Sequence, residues 1–218
     1  MTELKGKRVL LGVTGSIAAY KAADLASKLS QLGLEVDVIL TRAAAEFISP
    51  LTFQSVTGRR AYLDRDLWGA QGHVLHIGLG KEADLALVAP ATANTLAKLA
   101  TGNADNLLTL TLLACEAPLM LAPAMDGGMY DHAATQANVR LLKERGAEII
   151  GPQMGHLASG ISGVGRMVEP QELAGQVRVA LGRGGLLAGR KVVVSAGGTQ
   201  EAIDPVRVIA NRSSGKQG

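Results

Sequence analysis

Short continuous apolar runs alternate with helix-patterned segments along almost the whole chain. The runs predicted to be buried strands are Arg8 to Thr14, Glu35 to Thr41, Asp84 to Ala89, Leu119 to Ala122 and Ala147 to Gly151. The segments with apolar residues at helical spacing are Ile17 to Leu32, Thr92 to Ala100, Asn106 to Ala114, Met129 to Arg145 and Glu172 to Leu181. Strands that alternate with helices form right-handed parallel crossovers. The pattern therefore predicts an α/β fold with a three-layer, doubly wound, mainly parallel sheet of the Rossmann-like or flavodoxin-like type.

The composition fits such a sheet and argues against several other classes of protein. Hydrophobic residues make up 47% of the chain but aromatic residues only 3%, so aliphatic side chains must fill the core. The net charge of +3 is spread along the sequence, which does not indicate nucleic-acid binding. A single cysteine, Cys115, excludes an internal disulfide and is predicted to be a small buried residue. No apolar run is long enough for a signal peptide or a membrane span, so we expect a cytoplasmic protein.

The 218 residues are enough for one full domain and part of a second. We expect a first domain at 1–182, a linker at 183–190 and the start of a second domain at 191–218, where KVVVSAGG predicts a new buried strand. Within the first domain, Ala43 to Gly58 is predicted to form short helices broken at Pro50. Residues 151–165 contain five glycines, which predicts an irregular, mobile flap.

Three strand ends carry residues suited to a ligand, and parallel sheets bind ligands beyond the carboxyl ends of their strands. The first strand runs into Gly15 and Ser16, where backbone N–H groups and a hydroxyl can hold a phosphate; Ser16 could equally be a helix cap. The segment Pro90 to Thr95 offers small polar side chains with the same two interpretations. After the third strand, Asp126 lies among glycines, where a substrate could approach the backbone.

His76 precedes a predicted strand and has a side chain whose usual pKa suits a catalytic base, although a lone histidine is more often structural. A zinc site built from His73, His76 and Asp126 would use possible ligand types, but their spacing matches no metal motif. We therefore expect no metal in this domain.

Taken together, these motifs resemble the homo-oligomeric flavin-containing cysteine decarboxylases, and specifically the phosphopantothenoylcysteine decarboxylases, over roughly Lys7 to Leu181. The matching segments are TGSIAAYK, PATANT, HI-x-L and PAMD-x-x-M. The resemblance implies that FMN is the cofactor and that His76 and Ser159 are catalytic. It implies substrate contacts from Asp126 and Met129. It assigns FMN binding to Gly15, Ser16, Ile17, Thr41, Thr92, Ala93, Asn94, Thr95 and Ala124.

The family's chemistry is also implied by the resemblance. Oxidation of the substrate's cysteine end by FMN gives a thioaldehyde, which acts as the electron sink for loss of CO2, and the electrons are then returned. Family members are trimers or larger assemblies with FMN at a subunit contact, so a homotrimer or higher homo-oligomer is expected. The flap at 151–165 is expected to close over the substrate and exclude water.

Two residues depart from the family's pattern. Asp126 stands where the family has asparagine, and Ser159 stands in place of the flap cysteine that is thought to protonate the product. An ionised carboxylate at position 126 would repel the substrate carboxylate. We therefore expect either that Asp126 is protonated when substrate binds, because burial and the neighbouring substrate carboxylate raise its pKa, or that another donor from the flap takes over.

The second domain's first residues resemble phosphopantothenate–cysteine ligases. The matching residues are Gly197-Gly198-Thr199, the segment Glu201 to Arg207 and the segment Asn211 to Lys216. The resemblance implies that Asn211 acts on an acyl-cytidylate and that CTP and Mg2+ serve the ligase domain only. We expect the chain to stop before the nucleotide site is complete and so to lack ligase activity.

Three alternatives remain open at this point. The chain could be a flavin-dependent decarboxylase of another cysteine-terminated substrate, a non-enzymatic FMN-binding regulatory protein, or a flavin prenyltransferase. The ligase-like segment argues against all three.

Overall fold

Six parallel strands form the central sheet of a computed structural model, which describes residues 4–68, 72–185 and 188–214. The chain divides between Arg183 and Gly184 into two compact units. In the first unit the strands are β1 (Arg8–Val13), β2 (Glu35–Leu40), β3 (Ala61–Leu63), β4 (Leu85–Ala91), β5 (Leu119–Pro123) and β6 (Glu148–Ile149). Their order is β3-β2-β1-β4-β5-β6, with every pairing parallel. The predicted fold class is confirmed.

Helices cover both faces of this sheet. They are α1 (Ala19–Gln31), α2 (Arg42–Ala45), α3 (Pro50–Thr57), α4 (Gly72–Glu82), α5 (Ala93–Thr101), α6 (Leu107–Leu113), α7 (Gly127–Asp131), α8 (Ala133–Glu144) and α9 (Pro170–Gly182). A 3₁₀ helix at Asp64–Trp68 follows β3. Sequence analysis located most of these elements to within a few residues, but it gave no account of β3, the 3₁₀ helix or α4.

Alternate residues of the strands point to opposite layers. Val9, Leu11 and Val13 of β1 lie in a core formed with α1, α3 and α9, whereas Leu10 faces a second core formed with α5, α6 and α8. Each fully buried leucine contributes roughly 1.5–3 kcal/mol to folding. Gly12 lies under α6, where an added Cβ would come within 2.6 Å of a Leu108 methyl carbon. This glycine lets the helix pack directly on the sheet.

The segment predicted as one helix from Met129 to Arg145 forms two. Asp126 caps the start of α7, and His132 then takes an extended backbone conformation. His132 Nδ1 accepts the Ala134 N–H at 3.2 Å and so begins α8. Apolar periodicity alone does not reveal the break, because it continues across both helices.

The glycine-rich segment at 151–165 is regular, and the prediction of an irregular flap is wrong. It forms an antiparallel hairpin of β7 (Gln153–His156) and β8 (Ser162–Arg166), which we call the hairpin. Its glycines permit close packing: an added Cβ at Gly155 would lie 2.6 Å from Arg166 Cδ, and one at Gly165 would collide with the Met125 carbonyl oxygen. At these two positions glycine is required by tight contacts, whereas Gly160 has a positive φ and open space around its Cβ position.

The second unit contains one antiparallel ribbon, β9 (Gln200–Ala202) with β10 (Val208–Ala210). The predicted buried strand at KVVVSAGG is wrong for this structure, since Val192, Val193 and Val194 are exposed and form no strand. Two three-residue strands offer neither a sheet neighbour nor a covering layer for them. Among the helices of the described residues, none is long and apolar enough to cross a bilayer.

Candidate functional site

A cavity of about 720 Å³ opens beyond the carboxyl ends of β1, β2, β4 and β5. It lies where β1 and β4 are neighbours and the strand order reverses, the usual ligand position in doubly wound sheets. Its volume is in the range of roughly 300–1,000 Å³ found for small-molecule sites. The predicted residues that line this larger cavity are Gly15, Ser16, Thr41, Thr92, Ala93, Asn94, Thr95, Ala124 and Met129.

Thr14 joins the two central strand ends beneath this cavity. The buried Thr14 hydroxyl donates to the Pro90 carbonyl at 2.7 Å, and its oxygen accepts the Thr92 N–H at 3.2 Å. A threonine at the end of an apolar strand gives only a weak sequence signal, and it was not singled out. Its contacts fix the loop after β1 against the loop after β4.

Gly15 allows the loop after β1 to approach the start of α2. An added Cβ at position 15 would collide with the Ala43 Cβ, so only glycine fits here. Ser16 Oγ accepts the Ala18 N–H at 3.3 Å, just before α1 begins. A hydroxyl that accepts in this way keeps its proton to donate to a ligand. The loop at Gly15 and Ser16 therefore offers a closely approaching backbone and a hydroxyl donor, both of which suit a phosphate.

Thr41 and Thr92 are helix caps and cavity residues at once. Thr41 Oγ1 accepts the Ala44 N–H at 3.2 Å, and Thr92 Oγ1 accepts the Thr95 N–H at 3.3 Å. The two interpretations weighed for such residues are therefore compatible. Three chain segments present small polar side chains to one cavity.

A second cavity of about 270 Å³ adjoins the first, because Ser16, Ala124 and Met125 line both. Asp126, predicted to contact substrate, and Ser159, predicted to be catalytic, lie in this smaller cavity. Ile17 also lies there, although it was expected among the flavin contacts, and its side chain is 59% exposed. Ile17 thus shares the smaller cavity with Ser16 and Ala124 but does not line the larger one.

Asp126 accepts two hydrogen bonds. Its Oδ2 accepts the Ser159 hydroxyl at 2.7 Å, and its Oδ1 accepts the Gly128 N–H at 3.0 Å. The bond from Ser159, followed by that from Gly128, lowers the pKa of Asp126 from its usual value. The carboxyl is only partly buried here and is stabilised in its ionised form; its protonation when substrate binds stays a prediction.

The hairpin is tied to the loop after β5 by backbone contacts. Met125 N–H donates to the Gly165 carbonyl at 3.0 Å, and an added Cβ at Gly127 would lie 3.1 Å from the Val164 oxygen. The close approach of the two backbones explains why glycines occur in both segments. The Ser159–Asp126 bond adds a side-chain link at the tip of the hairpin.

Lys21 anchors the other end of the hairpin and was missed by sequence analysis. Its buried Nζ donates to the Met167 carbonyl at 3.3 Å and to Glu169 Oε1 at 2.9 Å, and it lines the smaller cavity. The Lys21 hydrogen bond lowers the pKa of Glu169. A lysine on the apolar stripe of a predicted helix was the available signal.

His76 lies on α4 and lines neither of these two cavities. Its Nδ1 is buried and has no hydrogen-bond partner within the described part of the chain. The side chain of His73, named in the zinc alternative, lies outside the described residues.

Asn211 belongs to the second unit, where its Oδ1 accepts the Thr199 N–H at 2.8 Å and so links two parts of the predicted ligase motif. Gly215 and Lys216 of that motif also lie outside the described residues.

A third cavity, of about 390 Å³, lies between α5, α6 and α8 near the amino ends of β4 and β5. It includes Cys115, which is half-buried rather than fully buried as predicted, and burial raises the pKa of its thiol. None of the predicted flavin, substrate or catalytic residues lines it.

Comparison with known proteins gives consistent similarities. Residues 1–181 match the flavoprotein family, and residues 187–218 match the DNA/pantothenate metabolism flavoprotein C-terminal domain. The chain is 47% identical to the coenzyme A biosynthesis bifunctional protein CoaBC of Vibrio vulnificus over 100% of this chain and 54% of that protein. It therefore spans about half the length of the curated relatives it matches.

Two solved structures share the fold. One is a cysteine-to-serine mutant of PPC decarboxylase complexed with pantothenoylaminoethenethiol, with 36% identity, a TM-score of 0.73, and coverage of 80% of this chain and 98% of that one. The other is the FMN-dependent cysteine decarboxylase SpaF, with 33% identity, a TM-score of 0.69, and coverage of 82% and 97%. Because the family match extends over residues 1–181, this chain belongs to the flavoprotein family.

Proposed function

We propose that this chain binds FMN and decarboxylates 4′-phosphopantothenoylcysteine to 4′-phosphopantetheine, a step of coenzyme A biosynthesis in the cytoplasm. The observation that carries the proposal is the pair of adjoining cavities at the strand-order reversal. The larger contains eight of the nine residues expected to bind FMN, and the smaller contains Asp126 and Ser159. The similarity to CoaBC and to PPC decarboxylase supports the choice of substrate.

The larger cavity suits the cofactor in volume and in the chemistry of its lining. Gly15 and Ser16 would hold the phosphate at the start of α1, where helix N–H groups favour an anion. Thr92 to Thr95 and Ala124 would contact the rest of the flavin. When bound, FMN supplies a two-electron acceptor and donor, which no side chain can replace.

The smaller cavity would hold the reacting end of the substrate. Asp126 would position it there, Met129 would contact the substrate from the adjoining larger cavity, and the hairpin would exclude water. Ser159 would face the carbon that receives a proton at the end of the reaction. Because Ser159 already donates to Asp126, its hydroxyl can pass on a proton only if that bond is exchanged.

His76 would be the base, acting on the cavity of a neighbouring copy. Within one chain it lines neither of the two cavities of the site, while its buried Nδ1 has no partner among the described residues. An assembly with the flavin at a subunit contact would bring such a histidine to the substrate. We therefore propose a homotrimer or a higher homo-oligomer.

We further propose that residues 1–182 form the decarboxylase domain, that 183–190 are a linker and that 191–218 belong to a ligase domain. The C-terminal family match at 187–218 and the boundary between the two compact units support this division. Asn211 would serve the ligase reaction, with CTP and Mg2+, in the longer protein.

A direct test uses the purified chain. We expect a yellow protein with noncovalent FMN near one per chain, which releases CO2 from phosphopantothenoylcysteine and yields 4′-phosphopantetheine by mass spectrometry. A colourless protein that fails to take up added FMN would overturn the cofactor assignment. Flavin binding without CO2 release would leave the cofactor and overturn the substrate.

A further inference from the structure

Asp64 connects two helix starts on the wall of the larger cavity. It begins the 3₁₀ helix after the edge strand β3, and the Leu40–Leu63 register places it beside Thr41 at the carboxyl edge of the sheet. Asp64 is partly buried and lines the cavity. No motif in the sequence indicated a role for it.

Both carboxylate oxygens accept backbone N–H groups. Oδ2 accepts the Arg42 N–H at 3.3 Å, and Oδ1 accepts the Leu107 N–H at 3.1 Å. Arg42 is the first residue of α2, and Leu107 is the first residue of α6. The first N–H groups of a helix have no partner within the helix, so one side chain satisfies such a group in two helices.

The residues that cap these helices face the same cavity. Thr41 caps α2 and Asn106 caps α6, and each accepts an N–H further along its own helix. The cap residues therefore complete each helix separately, while Asp64 bonds to both helix starts. The Asp64 carboxylate therefore links the two helix starts that carry Thr41 and Asn106.

We propose that Asp64 is a positioning residue for FMN, an inference that rests on the proposed cofactor. It fixes the starts of α2 and α6 as one wall of the cavity. Its carboxylate also accepts two N–H groups that could otherwise bind a phosphate. The start of α1 at Gly15 and Ser16 is therefore left as the anion site. Asp64 touches neither substrate nor reacting atoms in this role.

The test compares Asp64→Ala with Asp64→Asn and with a matched control in the same 3₁₀ helix. Asp66 accepts the Leu63 N–H at 2.8 Å and pairs with Arg60, but it is not among the residues that line the cavity. Asp66→Ala should therefore disturb the same segment without reaching the flavin. FMN dissociation constants are measured on apoprotein by flavin fluorescence quenching, and thermal midpoints are measured with and without FMN.

We expect Asp64→Ala to weaken FMN binding by about tenfold or more. Asp64→Asn should have a smaller effect, since its one amide oxygen can still accept one N–H group. Asp66→Ala should lower the thermal midpoint and leave the FMN dissociation constant unchanged. The visible circular dichroism of bound flavin should change only in the Asp64 variants.

Three results would contradict the inference. In the first, Asp64→Ala and Asp64→Asn bind FMN like the wild type. In the second, both Asp64 variants and Asp66→Ala lose affinity in proportion to stability, which would mean that Asp64 is only structural. If Asp64→Ala fails to fold, an unchanged dissociation constant in Asp64→Asn overturns the proposal by itself. Wild-type protein that binds no FMN would instead overturn the proposed function.

Discussion

Ser159 donates a hydrogen bond of 2.7 Å to Asp126 and so joins the tip of the hairpin to the loop after β5. These two residues are the ones that depart from the family's pattern, and in this structure they are partners. The bond lowers the pKa of Asp126, so the carboxylate stays ionised well below neutral pH. A carboxyl with a lowered pKa contributes its stabilising bond above its unfolded pKa and loses it as the pH falls through the folded value. The link therefore persists at neutral pH and breaks only in acid.

Asp126→Asn should improve substrate affinity. Removing a partly exposed negative charge near the substrate carboxylate removes a repulsion, so KM should fall by roughly fivefold. Because Asp126 is ionised throughout, the improvement should be the same from about pH 5 to about pH 9. Measuring KM for the wild type and for Asp126→Asn across this pH range checks the prediction. A gain confined to high pH would mean that substrate binding raises the pKa of Asp126, and a higher KM at every pH would place the substrate elsewhere.

Ser159→Cys should increase the yield of fully reduced product. A thiol has a far lower pKa than a serine hydroxyl and is therefore a better proton donor for the final step. The neighbouring Asp126 carboxylate would keep that thiol protonated at neutral pH. The ratio of reduced to oxidised product, measured by mass spectrometry, reports the change. Ser159→Ala is the matched control and should lower the same ratio; equal ratios in all three proteins would remove Ser159 from the chemistry.

Ser16→Asp should expel FMN but keep the fold. Aspartate can still accept the Ala18 N–H, as Ser16 does, while its charge repels the flavin phosphate. Riboflavin, which lacks the phosphate, is the matched ligand and should bind the variant and the wild type alike. Dissociation constants for both flavins decide the point. An equal loss of FMN and riboflavin would indicate general damage, and retained FMN would place the phosphate elsewhere.

Sequence analysis located the residues of the larger cavity because the ends of buried strands can be recognised in the sequence. A buried strand closed by a glycine or proline puts its small polar residues at a known edge of the sheet, as with Gly15 and Thr92. The same logic failed for contacts made at a distance. Thr14, Lys21 and Asp64 each act through residues more than 40 positions away, at Pro90, Met167 and Leu107, and no local pattern encodes such a partner.

Glycine was the least reliable signal. At 151–165 a high glycine content predicted an irregular segment, but the segment is a regular hairpin that has glycine where its strands and the loop after β5 come into contact. Composition cannot distinguish an irregular segment from a regular one that is closely packed. Sequence analysis placed Asp126 correctly at a strand end, but the hydrogen bond that stabilises its ionised form comes from Ser159, 33 residues away.

Removal of residues 189–218 should leave the first unit unchanged. The chain divides into compact units at Arg183 and Gly184, and the valines at 192–194 are exposed. We expect the shortened protein to retain its flavin content, its rate of CO2 release and its thermal midpoint. Absorbance measures the flavin content, an assay of CO2 release measures the rate, and calorimetry measures the midpoint. A lower midpoint or lost flavin would show that the second unit contributes to the fold of the first.

His76→Asn should leave FMN bound and abolish decarboxylation, because asparagine roughly keeps the size of the side chain and loses its proton chemistry. Unchanged turnover would make His76 structural.

The location of His76 outside the two cavities of its own chain also predicts complementation between subunits. Co-refolding His76→Asn with Ser16→Asp should restore activity, since a subunit with an intact histidine can serve a neighbour with an intact flavin site. With random mixing in a cyclic assembly, about a quarter of the wild-type number of sites should be active. Sedimentation confirms the assembly. Two inactive variants that stay inactive in mixed oligomers would show that His76 serves its own chain.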